Sequence, residues 1–183
     1  QYVRRTVSHF KSRVKYWEIW NEQNLKHFWV ADPDPKAYAQ FLKITYEAIK
    51  AIDPGAVVVY GGLAGVPFDY YEKTLQAGAG RYFDVMNIHP YRGGLSTVQE
   101  IRRFLGDIQR FHDLTAKYCG KDKPLWITEM GWPTPPALGR YSGVLIDAAL
   151  ARLFPQGVPG KIAVIYDPFY PPSNCLSTEV WRK

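Results

Sequence analysis

The sequence has little cysteine: Cys119 and Cys175 are the only two, and neither has a second cysteine or a histidine two to four positions away. That spacing excludes the common structural zinc patterns and leaves two ordinary, partly buried thiols, bridged or free, which fix no compartment. His9, His27 and His112 form no metal-like grouping either, so neither a metal nor a cofactor is expected. No apolar run approaches the length needed to cross a bilayer, and membrane attachment is not expected. No signal peptide opens the chain, which reads from Gln1 as a helix already under way. Low-complexity tracts and linkers are absent, and the Gly61-Gly62 pair lacks the pattern of a phosphate-binding loop; room for a ligand or a tight turn explains it without a nucleotide. The net charge of +6 includes one loose basic cluster, Arg4, Arg5, Lys11, Arg13 and Lys15, on a helical stretch. A solvated helix face accounts for it better than nucleic acid does.

What is present is enough for one domain. With 183 residues, 46% hydrophobic and 22% charged, the chain can bury a sizeable core. Aromatic residues make up 15%, including six tryptophans and thirteen tyrosines, and flat apolar faces with polar edges suit ligands such as sugars.

Strands and helices alternate along the sequence. Val3, Val7, Phe10 and Val14 at helical spacing predict a helix over 2–13, followed by a buried strand over 16–20. Asp34-Pro35 supplies an N-cap and a first-position proline for a helix carrying Tyr38, Phe41, Leu42, Thr45, Ile49 and Ile52 on one face. The β-branched run at 55–65 reads as a strand buried on both faces, and a short helix over 69–77 ends at Gly78 and Gly80. A third strand is predicted over 82–93. Ser96 and Gln99 then form a capping box for a helix with Val98, Ile101, Leu105, Ile108 and Leu114 as its apolar stripe, running to about Tyr118. A strand through Ile127, a helix near 142–154, a strand over 160–170 and an irregular tail over 171–183 complete the chain. Near-continuous apolar strands separated by helices predict an α/β fold with a parallel sheet and the functional groups at the carboxyl edge.

Two strands end in glutamates. Glu22 follows the aromatic strand in KYWEIWNEQN, and Glu129 ends the strand in PLWITEMGWPT, about a hundred residues later. Either one alone reads as a solvated loop acid or a helix-leading acid; the matched pair at strand ends points to a shared cleft. Trp132, in Gly131-Trp132-Pro133, is a candidate sugar platform, with a tryptophan folded on its own loop as the other reading. Glu18 alternates onto the side of Glu22 and is read as structural, needing a cationic partner from elsewhere.

Trp20-Asn21-Glu22, His89-Pro90-Tyr91 and Thr128-Glu129, each after a strand and in this order, resemble the clan A retaining glycoside hydrolases, family 39 and its neighbours above all. The likeness runs from about residue 14 to residue 167. It implies a (β/α)8 barrel, with Glu22 as acid/base at the end of the fourth strand and Glu129 as nucleophile at the end of the seventh. It makes Asn21 a donor to the sugar 2-hydroxyl and places Tyr91, with His89, beside the nucleophile. His89 is left open between a sugar contact and a bond to a backbone carbonyl. Gln23 stands where proline is commonest, and with no tryptophan ending the last strand, Tyr166, Phe169 or Tyr170 would have to serve as platform.

On this mapping the five strands are the fourth to the eighth, and 183 residues fall short of the roughly 250 of a full barrel. The chain is expected to be the carboxyl-terminal part of a partial TIM barrel that pairs with a missing amino-terminal piece or with a second copy, covering its open edge. The implied activity is cleavage of β-glycosidic bonds in an oligo- or polysaccharide by double displacement, with extracellular or periplasmic placement favoured over cytoplasmic. The two roles need different protonation states: Trp20 and the loop around Phe28 and Trp29 would desolvate Glu22 and keep it protonated, while Tyr91 would hold Glu129 ionised. A noncatalytic carbohydrate-binding or scaffold remnant is the alternative. A doubly wound nucleotide domain is disfavoured by the lack of a glycine-rich turn.

Overall fold

The computed structural model describes residues 1–92 and 97–131; the helix expected near 142–154, the strand over 160–170, the tail and Trp132 lie outside the described residues. Within them the elements run α1 (Tyr2–Phe10), β1 (Tyr16–Asn21), α2 (Pro35–Ile52), β2 (Val57–Ala64), α3 (Phe68–Gln76), a 3-10 turn (Ala79–Arg81), β3 (Met86–His89), α4 (Val98–Cys119) and β4 (Leu125–Ile127). The four described strands form one sheet in the order β1-β2-β3-β4. Every pair is parallel, as in Glu18 opposite Val59, Leu63 opposite Ile88 and Asn87 opposite Trp126. This is the α/β repetition the sequence predicts, and parallel order puts all strand ends on one edge.

Helices pack on one side of the sheet through large apolar side chains. Leu42 and Ile49 of α2, Leu63 and Ile88 of the sheet, and Phe111 of α4 are almost fully buried, each contributing roughly 1.5 to 3 kcal/mol. A train of rings runs through this core, edge-on from Tyr38 to Tyr60 at 5.0 Å and from Tyr60 to Tyr71 at 5.5 Å, and tilted from Tyr71 to Phe111 at 5.4 Å. Their hydroxyls face different fates: Tyr71 meets Thr115 Oγ1 at 2.8 Å, and Tyr38 acts as a clasp at the carboxyl edge. Its hydroxyl donates to the Ile19 carbonyl and accepts from Gly61 N–H, both at 2.9 Å, fixing β1 against β2 just before the strands end. At the opposite edge Asp84 accepts from Val58 N–H at 2.9 Å and from Lys50 at 2.8 Å.

Four expectations need correction. The capping box of α4 lies one residue on: Thr97 Oγ1 accepts from Glu100 N–H at 3.1 Å, and Glu100 Oε2 accepts from Thr97 N–H at 2.8 Å. A carboxylate at the helix amino terminus meets the positive end of the helix dipole, which the amide of Gln99 cannot match. The buried stripe of α4 is Phe104, Phe111, Leu114 and Thr115, whereas Val98 is 61% exposed; the two phenylalanines, one heptad apart, set the phase. Strand β3 is also shorter than expected, because Asp84 occupies Val58 N–H with its side chain and Val85 makes only an isolated bridge to Val59. Gly78, in the left-handed region at φ 90°, closes α3 as expected, but Gly80 lies within the 3-10 turn, where a Cβ would stand 2.8 Å from Cys119 Sγ. The basic residues of α1 are exposed, as a solvated face requires.

Candidate active site

The carboxyl ends of β1, β2, β3 and β4 converge on one cluster of polar side chains. At the end of β1 the backbone leaves the extended region: Trp20 has φ 77° and Glu22 φ 48°, left-handed values that cost L-residues about 1 to 3 kcal/mol each. The surrounding bonds hold the turn in place. Glu22 N–H donates to the Gly62 carbonyl at 2.8 Å, the Gln23 amide donates to the Gly61 carbonyl at 2.9 Å, and Asn24 brackets Ala64, accepting from its N–H at 2.9 Å and donating to its carbonyl at 3.0 Å. Three successive side chains or amides are thus tied to the end of β2, and Glu22 is carried inward to 9% exposure.

His89 is the centre of the cluster. It ends β3, is fully buried, and sets Nδ1 at 3.2 Å from Glu22 Oε1 and 3.7 Å from Glu129 Oε2. Nε2 lies 2.9 Å from Thr128 Oγ1 and 3.8 Å from Glu18 Oε1. A carboxylate oxygen of Glu22, a ring nitrogen of His89 and a carboxylate oxygen of Glu129 therefore all fall within 4.8 Å of one another. Two carboxylates and an imidazole so spaced are donors a divalent ion could also use.

Glu129 is more open, its side chain 38% exposed, and the Tyr91 hydroxyl donates to its Oε2 at 3.2 Å. Tyr91 is half exposed. Asn21, half buried, pairs in register with Gly62.

Some sequence candidates land elsewhere. The indole of Trp20 packs edge-on against Trp29 at 5.8 Å and Phe41 at 5.6 Å, and its N–H donates to the Phe28 carbonyl at 2.9 Å. The turn at φ 77° breaks the strand alternation, so Trp20 builds the aromatic loop over α2 and its described contacts are there, where a place among the substrate-binding residues and the desolvation of Glu22 were expected of it. Glu22 owes its burial to the turn and to His89. Glu18 does face the cluster, but its partners are local: it accepts from Gly62 N–H at 3.0 Å and from the Thr128 hydroxyl at 3.4 Å, with His89 as the nearby potential cation. Burial pushes the Glu18 carboxyl above its ordinary 4.5, opposed by the bond from Gly62, by His89 and by Thr128, and assisted by Glu129. His89 bonds neither a backbone carbonyl nor open solvent; both ring nitrogens meet side chains. The glycine pair makes room for protein, not ligand: a Cβ on Gly62 would overlap the His89 ring, and one on Gly61 would meet Gln23 Oε1 at 2.7 Å.

Sequence reasoning missed Asn87 as part of the site. Fully buried on β3, it donates to Thr128 Oγ1 at 2.8 Å and accepts from Thr128 N–H at 3.2 Å. Its position two residues before His89, on the same face of the strand, is the signal that could have found it.

No family model matches the chain. A β-xylosidase of Geobacillus stearothermophilus is 37% identical over 186 residues, an alignment covering 82% of this chain and 34% of that protein. Among solved structures, a monomeric β-xylosidase from Caulobacter crescentus CB15 superposes with TM-score 0.63 at 25% identity, covering 83% of this chain and 35% of that one. The family 39 enzyme from Xanthomonas axonopodis pv. citri gives TM-score 0.64 at 26% identity over 84% of this chain and 34% of that one. In sequence and fold the chain is a relative of the family 39 glycoside hydrolases of clan A. This family 39-like chain spans about a third of the length of the relatives it matches, and the parallel sheet of its four described strands corresponds to part of their barrel.

Proposed function

We propose that the protein is a retaining glycoside hydrolase acting on β-linked sugars, with Glu22 as acid/base and Glu129 as nucleophile. The approach of their carboxylate oxygens to within 4.8 Å carries this reading. Retaining enzymes hold their two carboxyls about 5 Å apart, so that one attacks the anomeric carbon while the other protonates the leaving oxygen, whereas inverting enzymes leave roughly 6.5 to 9.5 Å for a water. The asymmetry of the pair supports the assignment of roles. Glu129, the more open carboxylate, receives the Tyr91 hydroxyl that would orient it for attack, and Glu22 is the buried one. In the first step the Glu129 oxygen bonds to the anomeric carbon as the glycosidic bond breaks and the Glu22 proton passes to the departing oxygen. In the second step Glu22 takes a proton from water, whose oxygen displaces Glu129.

Asn21 is proposed to donate to the sugar 2-hydroxyl, and Tyr91 and Trp132 to line the sugar site. A β-xyloside is the first substrate to try, since the β-xylosidases of Geobacillus and Caulobacter are relatives. The chain is proposed to act as one partial-barrel domain over residues 1–183. Strand β1 lies at the sheet edge, with Tyr16 51% exposed and no partner on its outer side among the described residues. Such an edge calls for a strand from a missing amino-terminal half or from a second copy. Proton NMR of 4-nitrophenyl β-xyloside hydrolysis tests the reading: β-xylose appears first if the mechanism is retaining. Tight sugar binding without any turnover would instead favour a noncatalytic carbohydrate-binding role.

A further inference from the structure

Gln23 is fully buried next to Glu22, and half of its amide makes no hydrogen bond among the described residues. Its nitrogen donates to the Gly61 carbonyl at 2.9 Å. A carbonyl can only accept, so this contact fixes which end of the amide faces β2. The oxygen is left buried without a partner, so close to Gly61 that a Cβ there would stand 2.7 Å from it. A side chain serving packing alone would be apolar here, because a buried acceptor left unpaired weakens the fold. What the amide adds is one directed bond, and its target is held from the other side: Gly61 N–H donates to the Tyr38 hydroxyl at 2.9 Å. Glu22 needs such an anchor beside it. It stands at φ 48°, a conformation that L-residues keep only where neighbours over-determine it. Proline, commonest at the place of Gln23 in the family, carries no side-chain donor, so the tie to Gly61 belongs to the present chain.

We propose that Gln23 is a positioning residue: its amide, anchored on Gly61, holds the turn at Glu22 and so sets how the Glu22 carboxyl is presented to the leaving oxygen. The inference rests on the two-glutamate reading. With no exposed surface, Gln23 has no route to the sugar. Its effect passes through Glu22 and therefore falls on the step that needs Glu22 as acid. In such a step a misplacement of about 1 Å can cost on the order of 100-fold in rate. A side chain that merely filled space would, on removal, lower the amount of folded enzyme and slow every substrate alike.

The test is Gln23→Met, which keeps the length and bulk of the side chain and removes the donor. On phenyl β-xyloside, whose leaving group needs a proton, kcat/KM is expected to fall about 100-fold. On 2,4-dinitrophenyl β-xyloside, which departs without one, kcat/KM is expected to stay at the wild-type value. Equal losses on both substrates, or no loss on the phenyl xyloside, would overturn the proposal. A second measurement needs no turnover: hydrogen exchange of the Glu22 and Tyr60 amides by NMR. Glu22 N–H bonds to the Gly62 carbonyl at the turn, and Tyr60 N–H to the Val85 carbonyl within the sheet at 2.9 Å. Gln23→Met is expected to speed exchange at Glu22 about 2- to 10-fold and to leave Tyr60 unchanged, because the turn can open without the sheet. No change at Glu22, or the same change at both amides, would overturn the anchor. An inactive wild type would sink the two-glutamate reading alone, because the exchange comparison still decides whether Gln23 holds the turn.

Discussion

Gly62 and His89 are fitted to each other: the side chain of one occupies the space that any side chain on the other would need. Gly62 also gives its carbonyl to Glu22 N–H at 2.8 Å and its N–H to Glu18 at 3.0 Å, so a single residue touches three members of the cluster. Gly62→Ala is therefore expected to displace the ring as well as to strain the sheet. Overpacking of this kind costs typically about 1 to 3 kcal/mol, to be read from the urea midpoint, and the loss of kcat should exceed what the stability change explains. An alanine variant with native stability and native turnover would contradict the fit.

The separation of roles between the two glutamates makes a prediction about leaving groups. Glu22→Gln removes the acid, so hydrolysis of a xyloside with a poor leaving group should fall about 100- to 10,000-fold. A 2,4-dinitrophenyl xyloside, which departs without a proton, should keep its first step. Glu129→Gln removes the nucleophile and should abolish turnover of both substrates. Stopped-flow and steady-state rates on the two substrates check this; equal loss on both in Glu22→Gln would reverse or refute the assignment.

Tyr91 donates to Glu129 Oε2 at 3.2 Å, a hydrogen bond to a charged acceptor worth about 1.5 to 3 kcal/mol. Tyr91→Phe keeps the ring and removes only the donor. If the bond orients the nucleophile, kcat/KM should drop roughly 10- to 100-fold, with the fold unchanged by circular dichroism. An unaltered kcat/KM would make the contact incidental.

The pattern of the chain foretells the sheet better than the site. Strand β2 is legible because Val57-Val58-Val59-Tyr60 is apolar without alternation, which only a strand covered on both faces tolerates, and the structure buries nearly all of it. The start of α2 is legible because Asp34 is a short acceptor before a proline, and it does cap, taking Lys36 N–H at 2.8 Å. Trp20 is not, because a period of two assumes extended backbone and the chain turns at that residue. The capping box of α4 slips because two adjacent pairs, Ser96 with Gln99 and Thr97 with Glu100, fit the pattern, and the carboxylate of Glu100 suits the helix dipole better than an amide; its stripe slips because Phe104 and Phe111 set the phase. As for the glutamate pair, sequence offers two strand ends, but their approach depends on how far Glu22 is drawn inward by bonds to β2, and no local pattern encodes that distance.

Glu18 supplies a prediction about pH. Burial is the largest influence on its carboxyl and pushes it above 4.5 in the folded protein, while the unfolded chain keeps the ordinary value. Between those two values the folded state binds more protons than the unfolded state, so this residue makes stability fall as pH rises through the window above 4.5. Below the window both states are protonated and Glu18 costs nothing; above it the cost of ionising a partly desolvated carboxyl, its side chain 30% exposed, is present. Glu18→Gln keeps an oxygen to accept from Gly62 N–H and from the Thr128 hydroxyl but never ionises. The variant should match the wild type in Tm at pH 4 and gain on it as the pH is raised toward 7, with the difference levelling off once the wild-type carboxyl is fully ionised. The opposite trend, a variant that loses ground as pH rises, would mean that His89 attracts the Glu18 carboxylate more strongly than burial penalises it.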